Sequence, residues 1–338
     1  MGNKTLGQRN QKDRGIQVLR IIACIAVFIC HFGQRMELWN LNGHVYEVSQ
    51  LGRYGVELFF VISGYLVCYS LSKGKSIVEY YKKRIIRIMP LYYFCILYYF
   101  VTETFLFRSV PADPQHLGWI RYILCLNGIV ISDGYFWGNI GITWTIPVFL
   151  MFYLFAPLIV KISKSTIASV VLLVGLMGIH FIINRTIPGW LHAFDYFPCF
   201  IFGILVFNAK KENKRFITML GLSIFVLVFK WVSFDNFVSE IIDEKYVVSA
   251  LFAIIVLFTE RFTMNSKRAI KVFDVLDEHS FTLYLVHGIV FCGIIDKFEI
   301  NIYFRIAIAI IGTFILTVLV HKYIEKPIRK LFNRVLLH

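Results

Sequence analysis

Ten predominantly apolar stretches follow one another along the chain, each about as long as a bilayer crossing: approximately Ile16 to Gly33, Leu51 to Leu71, Ile85 to Phe107, Thr143 to Ile162, Thr166 to Asn184, Ala193 to Asn208, Phe216 to Phe234, Val247 to Thr263, Phe281 to Asp296 and Ile302 to Tyr323. A hydrocarbon core about 30 Å thick needs about 20 residues of helix, with roughly 17 to 25 tolerated. The sixth and ninth stretches are short, and Pro198 in the sixth is expected to kink a helix that its neighbours repair. A water-soluble body is excluded by what would have to cover it. Only 17% of the residues are charged and 58% are hydrophobic, whereas soluble domains carry roughly 25% charged residues. The sequence therefore predicts an all-α polytopic membrane protein, a bundle of about ten transmembrane helices. One membrane domain fills residues 1–338, with spans within about 16–323 and short cytoplasmic tails.

Lys and Arg set the orientation. With the N-terminus inside, 25 of the 35 fall in or beside cytoplasmic segments and nine on the outside, while Arg20 lies within the first span. That asymmetry obeys the positive-inside rule and predicts both termini in the cytoplasm. The net charge of +14 is thus topological, with attraction to anionic lipid as a second effect. No nucleic-acid partner is expected, because the basic residues lie between apolar runs rather than on one solvated face. Cys24, Cys30, Cys68, Cys95, Cys199 and Cys292 sit inside apolar runs with no C-x-x-C spacing and read as packing residues. No cleavable signal peptide is expected, since the first run carries Arg20 and no small-residue cleavage site follows it.

The chemistry should lie where ionisable groups interrupt these runs. Arg20 and His31 are eleven residues apart. At 100° per residue they project from nearly one helix face, about 16 Å apart along the axis. Arg20 alone could snorkel to the inner headgroups, but two such groups on one face point to a polar passage through the protein. His31 suits proton transfer. Glu57, about 9 Å below the outer end of the second span, either orients His31 through a hydrogen bond or pairs with Arg53 at i, i+4. Ser63-Gly64 allows close helix contact.

On the cytoplasmic side, Lys82, Lys83, Arg84 and Arg87 precede Pro90. They serve as a topological anchor, or as a cradle for the phosphates of a soluble cosubstrate. His287 is either a packing residue or part of the site. Trp119, Tyr122, Tyr135, Phe136 and Trp137, between Arg108 and Ile142, form an interfacial belt or a lid over a sugar. No nucleotide-binding glycine loop and no H-E-x-x-H metal site occurs, so no bound cofactor or metal is expected.

Five motifs in order resemble those of the type-three membrane acyltransferases, ten-span bacterial enzymes that acylate cell-surface and other glycans. Arg20 and His31 match an arginine, ten residues, histidine signature. Gly55-Val-Glu-Leu-Phe-Phe-Val-Ile-Ser-Gly-Tyr-Leu66 is similar to the second-helix motif, and Arg84-Ile-Ile-Arg87-Ile-Met-Pro90 to the basic motif opening helix three. Ser280 to His287 resembles the late Tyr-Leu-x-His motif, and Tyr323-Ile-Glu325-Lys-Pro327 the closing Glu-x-Pro. Trp144-Thr-Ile-Pro-Val-Phe149 resembles the fourth-helix motif, except that Phe149 stands where many members carry Glu. The chain given ends at His338, so the extracytoplasmic esterase-like domain of some relatives is not expected.

The resemblance implies transfer of an acyl group, acetyl above all, from cytoplasmic acetyl-CoA to a hydroxyl of a surface or lipid-linked glycan, in a bacterial cytoplasmic membrane. His31, Arg20 and Glu57 would be catalytic, Arg84, Arg87, Lys83, Ser63 and Tyr65 would hold the donor, and Trp144, Tyr284 and His287 would face the acceptor or support the site. Expected partners are acyl-CoA, a glycan and the bilayer, with a second copy of the chain left open. A transporter or flippase, which also uses buried Arg, Glu and His, and a non-catalytic partner of a polysaccharide synthase are the rivals.

Overall fold

Helix α1, Arg14–Arg35, starts where the Asp13 carboxylate accepts from the backbone N of Ile16 at 3.1 Å, satisfying one of the free N–H groups that open any helix. This computed structural model describes residues 13–74, 76–106, 119–127, 143–186, 192–232, 243–295 and 301–336. A short helix, Gly43–Gln50, and a tight turn, Leu51–Tyr54, lead into α2, Gly55–Leu71. Next come α3, Ile77–Val101, capped by Ser76, then α4, Thr145–Ile162, and α5, Thr166–Thr186. They are followed by α6, Phe197–Lys211, α7, Arg215–Val232, and α8, Glu244–Leu257. Helix α9, Lys267–Gly293, is the longest of them. Beyond it α10 runs as Ile302–Ala307 and Thr313–Val320, joined by the π-helical turn Ile308–Gly312. A second π turn, His321–Glu325, leads to α11, Lys326–Leu336.

The described residues contain no strand. Seven of their helical segments are long and apolar enough to cross a membrane: Arg14–Arg35, Gly43–Leu71, Ile77–Leu106, Thr145–Ile162, Thr166–Ile183, Ala193–Lys211 and Ile302–Val335. The other three apolar stretches also fall on helices. The apolar stretch Arg215–Phe229 of α7 and helix α8 are shorter, and α9 carries Lys267, Arg268, Lys271, Asp274, Asp277 and Glu278 in its first half. Pro198 does not kink α6. It occupies the first turn, where no partner for its absent N–H is needed.

The outward faces are apolar, as a lipid solvent allows. On α1, Ile22, Ile25 and Ile29 point outward, while Ile21, Cys24 and Val27 are buried. Helices α2 and α6 approach each other closely. A Cβ on Gly64 would collide with the Phe200 carbonyl oxygen, and one on Gly203 with that of Val61. Apolar side chains gain little by leaving lipid for each other, so this backbone contact supplies the packing. All seven cysteines, Cys125 included, are buried free thiols.

Candidate active site

Helix α9 meets both Arg20 and His31 of α1. In the N-terminal half of α1, Arg20 Nη2 lies 2.6 Å from Asp277 Oδ1 on α9, with the Asp277 side chain 5% exposed. Near the other end of α1, the ring of His31 stacks on that of His287, also on α9, with centroids 5.3 Å apart. Both α1 residues thus turn toward one helix, three turns apart.

A chain of amides fixes the state of His31. Gln50 Nε2 donates to Ser49 Oγ at 3.1 Å and to the Cys30 carbonyl at 3.4 Å, which turns Gln50 Oε1 toward Gln34 Nε2, 2.8 Å away. The oxygen of Gln34 is then the atom 3.1 Å from His31 Nδ1. It can only accept, so Nδ1 carries the proton and Nε2 presents its lone pair. His287 is held alike, with Nδ1 donating to the Leu283 carbonyl at 3.2 Å, and its buried Nε2 has no partner among the described residues. Gln34 was not among the residues singled out from sequence, although its i+3 spacing from His31 puts it within reach.

Two cavities flank this cluster. The inner one, of about 90 Å³, is lined by Arg20, Arg84 and Arg87 together with Ser63, Tyr153 and Tyr284. Arg84 lies over the Tyr153 ring at 4.7 Å, and Arg87 has no ion-pair partner among the described residues. The outer one, of about 340 Å³, is lined by His31, Gln34, Glu57, Trp144, Tyr196 and Lys245, among others. Tyr284, which lines the inner cavity, shares a hydrogen bond of 2.8 Å with Thr145 and stands 5.9 Å, ring to ring, from His287.

Several expected contacts are replaced by others. Gln34, not Glu57, bonds to the His31 ring. Arg53 pairs with Glu244 at 3.3 Å rather than with Glu57. Lys83 is exposed and bonds to Glu79 at 2.5 Å, while Tyr65 lies under Lys210, 4.7 Å from its ring centre. Neither Lys83 nor Tyr65 lines the inner cavity. A helix places successive side chains on different faces, so Lys83 and Tyr65 cannot follow their neighbours Arg84 and Ser63 into one pocket. The aromatic lid expected at Tyr135, Phe136 and Trp137 lies outside the described residues.

A family model described as an acyltransferase domain matches residues 13–322. This chain belongs to that acyltransferase family. Among its relatives are a protein named acetyltransferase ORF330 from Acidianus two-tailed virus, 25% identical over 84% of each chain, and nodulation protein 10 of Rhizobium leguminosarum bv. viciae, 25% identical over 47% of this chain. The O-acetyltransferase OatA of Staphylococcus aureus is 23% identical over 94% of this chain. The matches cover 46% of nodulation protein 10 and 57% of OatA. No solved structure matches the chain.

Two motif positions of this membrane acyltransferase acquire physical roles. Phe149, where many family members carry Glu, lines the inner cavity and packs on Phe60 at 4.9 Å and on Tyr153 at 5.9 Å. That wall is therefore aromatic rather than acidic. Glu325 is 2% exposed and accepts from Thr282 on α9 at 2.5 Å and from Arg329 on α11 at 3.2 Å, with His321 Nδ1 at 2.7 Å. It thereby ties the C-terminal segment to the helix that carries Tyr284 and His287.

Proposed function

We propose that this acyltransferase moves an acetyl group from cytoplasmic acetyl-CoA to a hydroxyl of a cell-surface or lipid-linked glycan, in a bacterial cytoplasmic membrane crossed about ten times with both termini inside. The observation that carries the reading is that a cationic inner cavity and a larger polar outer cavity back onto one cluster, His31, His287 and Tyr284.

Arg84 and Arg87 hold the CoA phosphates, and the thioester arm runs inward past Ser63 toward Tyr284. Arg20 is fixed by Asp277, and about 16 Å of helix separate it from His31. It therefore serves the donor and not the carbonyl that His31 addresses. The glycan hydroxyl enters from the outer cavity and gives its proton to His31 Nε2 while its oxygen bonds to the thioester carbon. The Tyr284 and Thr145 hydroxyls are the donors nearest the developing oxyanion. Collapse of the adduct breaks the carbon–sulfur bond, and the CoA thiolate leaves with the proton that His31 took. General base catalysis of this kind contributes about 10² to 10⁴ in rate.

The test is purified protein in vesicles with radiolabelled acetyl-CoA outside, on the side of the α1 N-terminus, and a mixed pool of oligosaccharides inside. Label in the sugar, lost by at least 100-fold with His31→Ala, supports the reading. Unchanged transfer by that variant, or sugar uptake without label, overturns it.

A further inference from the structure

The outer cavity has a charge pattern that selects its guest. Two cations line it, and each is already engaged. Lys245 Nζ lies 2.7 Å from Asp243 Oδ2, and Arg53 lies 3.3 Å from Glu244, which also accepts from the Tyr54 hydroxyl. Glu57 is the acid left over. Its side chain lies in the first turn of α2 and is only 8% exposed, and among the described residues its buried Oε2 has no hydrogen bond and no cation pairs with it. A buried carboxylate oxygen without a partner costs free energy until something donates to it. Beside it stands Trp144, packed on Tyr196 with centroids 5.0 Å apart and with Lys245 over the Tyr196 ring at 4.9 Å, an aromatic surface of the kind on which the C–H face of a pyranose rests.

We infer that the outer cavity takes a carboxylate-free sugar ring, which lies on Trp144 and Tyr196 and donates a hydroxyl to Glu57, and that it rejects uronic-acid and other acidic glycans. A sugar carboxylate placed here would meet the Glu57 carboxyl group with its unpartnered oxygen, and find no uncommitted cation among the described residues. Like charges brought together in an interface cost several kcal/mol. The inference deepens the acyl-transfer reading, since it identifies the acceptor brought to His31.

The experiment measures binding and transfer separately on the full chain in nanodiscs. Three tetrasaccharides serve as probes: a neutral glucan, a galacturonate, and the methyl ester of that galacturonate. Binding, followed by tryptophan fluorescence, should favour the glucan over the galacturonate by roughly 100-fold, and esterification should restore most of the difference. Glu57→Gln keeps the shape and removes the charge, so it should shrink the discrimination to within about tenfold. Equal or tighter binding of the galacturonate, no binding of either neutral probe, or discrimination unchanged in Glu57→Gln overturns the inference. Transfer of label from acetyl-CoA to the bound glucan is scored independently. Selective binding without transfer would sink the acyl-transfer reading and leave the cavity's selectivity standing.

Discussion

The amide oxygen of Gln34 lies 3.1 Å from His31 Nδ1 and dictates which ring nitrogen of the histidine is free. The proposed base is therefore held by a residue one turn further along its own helix. Replacing Gln34 by Leu leaves the ring untethered and both tautomers open. Acetyl transfer should fall about 10- to 100-fold, less than on removal of His31 itself, with the KM for acetyl-CoA unchanged. Initial rates with labelled acetyl-CoA check this, and Gln34→Glu, which also accepts from Nδ1, should recover part of the loss.

Arg87 and Lys83 are one helical turn apart on α3 yet face different surroundings. Arg87→Ala removes a cation that lines the inner cavity and should raise the KM for acetyl-CoA about 10- to 100-fold, the range expected for a hydrogen bond to a charged group. Lys83→Ala removes a partner of Glu79 that does not line the inner cavity and should change that KM by less than about twofold. Equal effects would refute the assignment of Arg87 to the donor.

The Arg20–Asp277 pair joins α1 to α9. Asp277→Ala strands a guanidinium whose side chain is only 16% exposed, and should destabilise the protein by about 3 kcal/mol. Arg20→Met combined with Asp277→Leu should cost less than Asp277→Ala alone, because no uncompensated charge remains. Thermal unfolding in detergent, followed by near-ultraviolet circular dichroism, reads the difference.

Gly203→Ala puts a methyl group against the Val61 carbonyl, where α2 and α6 touch. Overpacking of this kind costs about 1 to 3 kcal/mol. It should lower the unfolding temperature by several degrees, whereas Gly221→Ala, where nothing lies within 4 Å, should leave it in place or raise it.

How much of this could be read from the sequence depended on how far a signal reaches along the chain. The position of helices follows from apolar runs, and all ten predicted runs fall on helices where the chain is described. The common orientation of Arg20 and His31 follows from the 100° step of a single helix. Asp277 could not be paired with Arg20 in this way, since the two are 257 positions apart and only the packing of α1 on α9 joins them. Lys83 and Tyr65 looked like site residues because they adjoin Arg84 and Ser63, but adjacency in a helix means divergence in direction. Gln34 was passed over because an uncharged amide in an apolar helix raises no alarm, although its spacing from His31 was in plain view. The hydrogen bond between Tyr284 and Thr145 was equally out of reach, since the two are 139 positions apart.

The burial of every thiol makes the native chain a blank background for mapping which loops face which side of the bilayer. A cysteine introduced at an exposed loop position would be the most accessible sulfhydryl for a membrane-impermeant maleimide. Position 73 between α2 and α3 should label only in opened vesicles or from the cytosol, and position 44 before α2 should label from outside in intact cells. Neither experiment would require a cysteine-free parent.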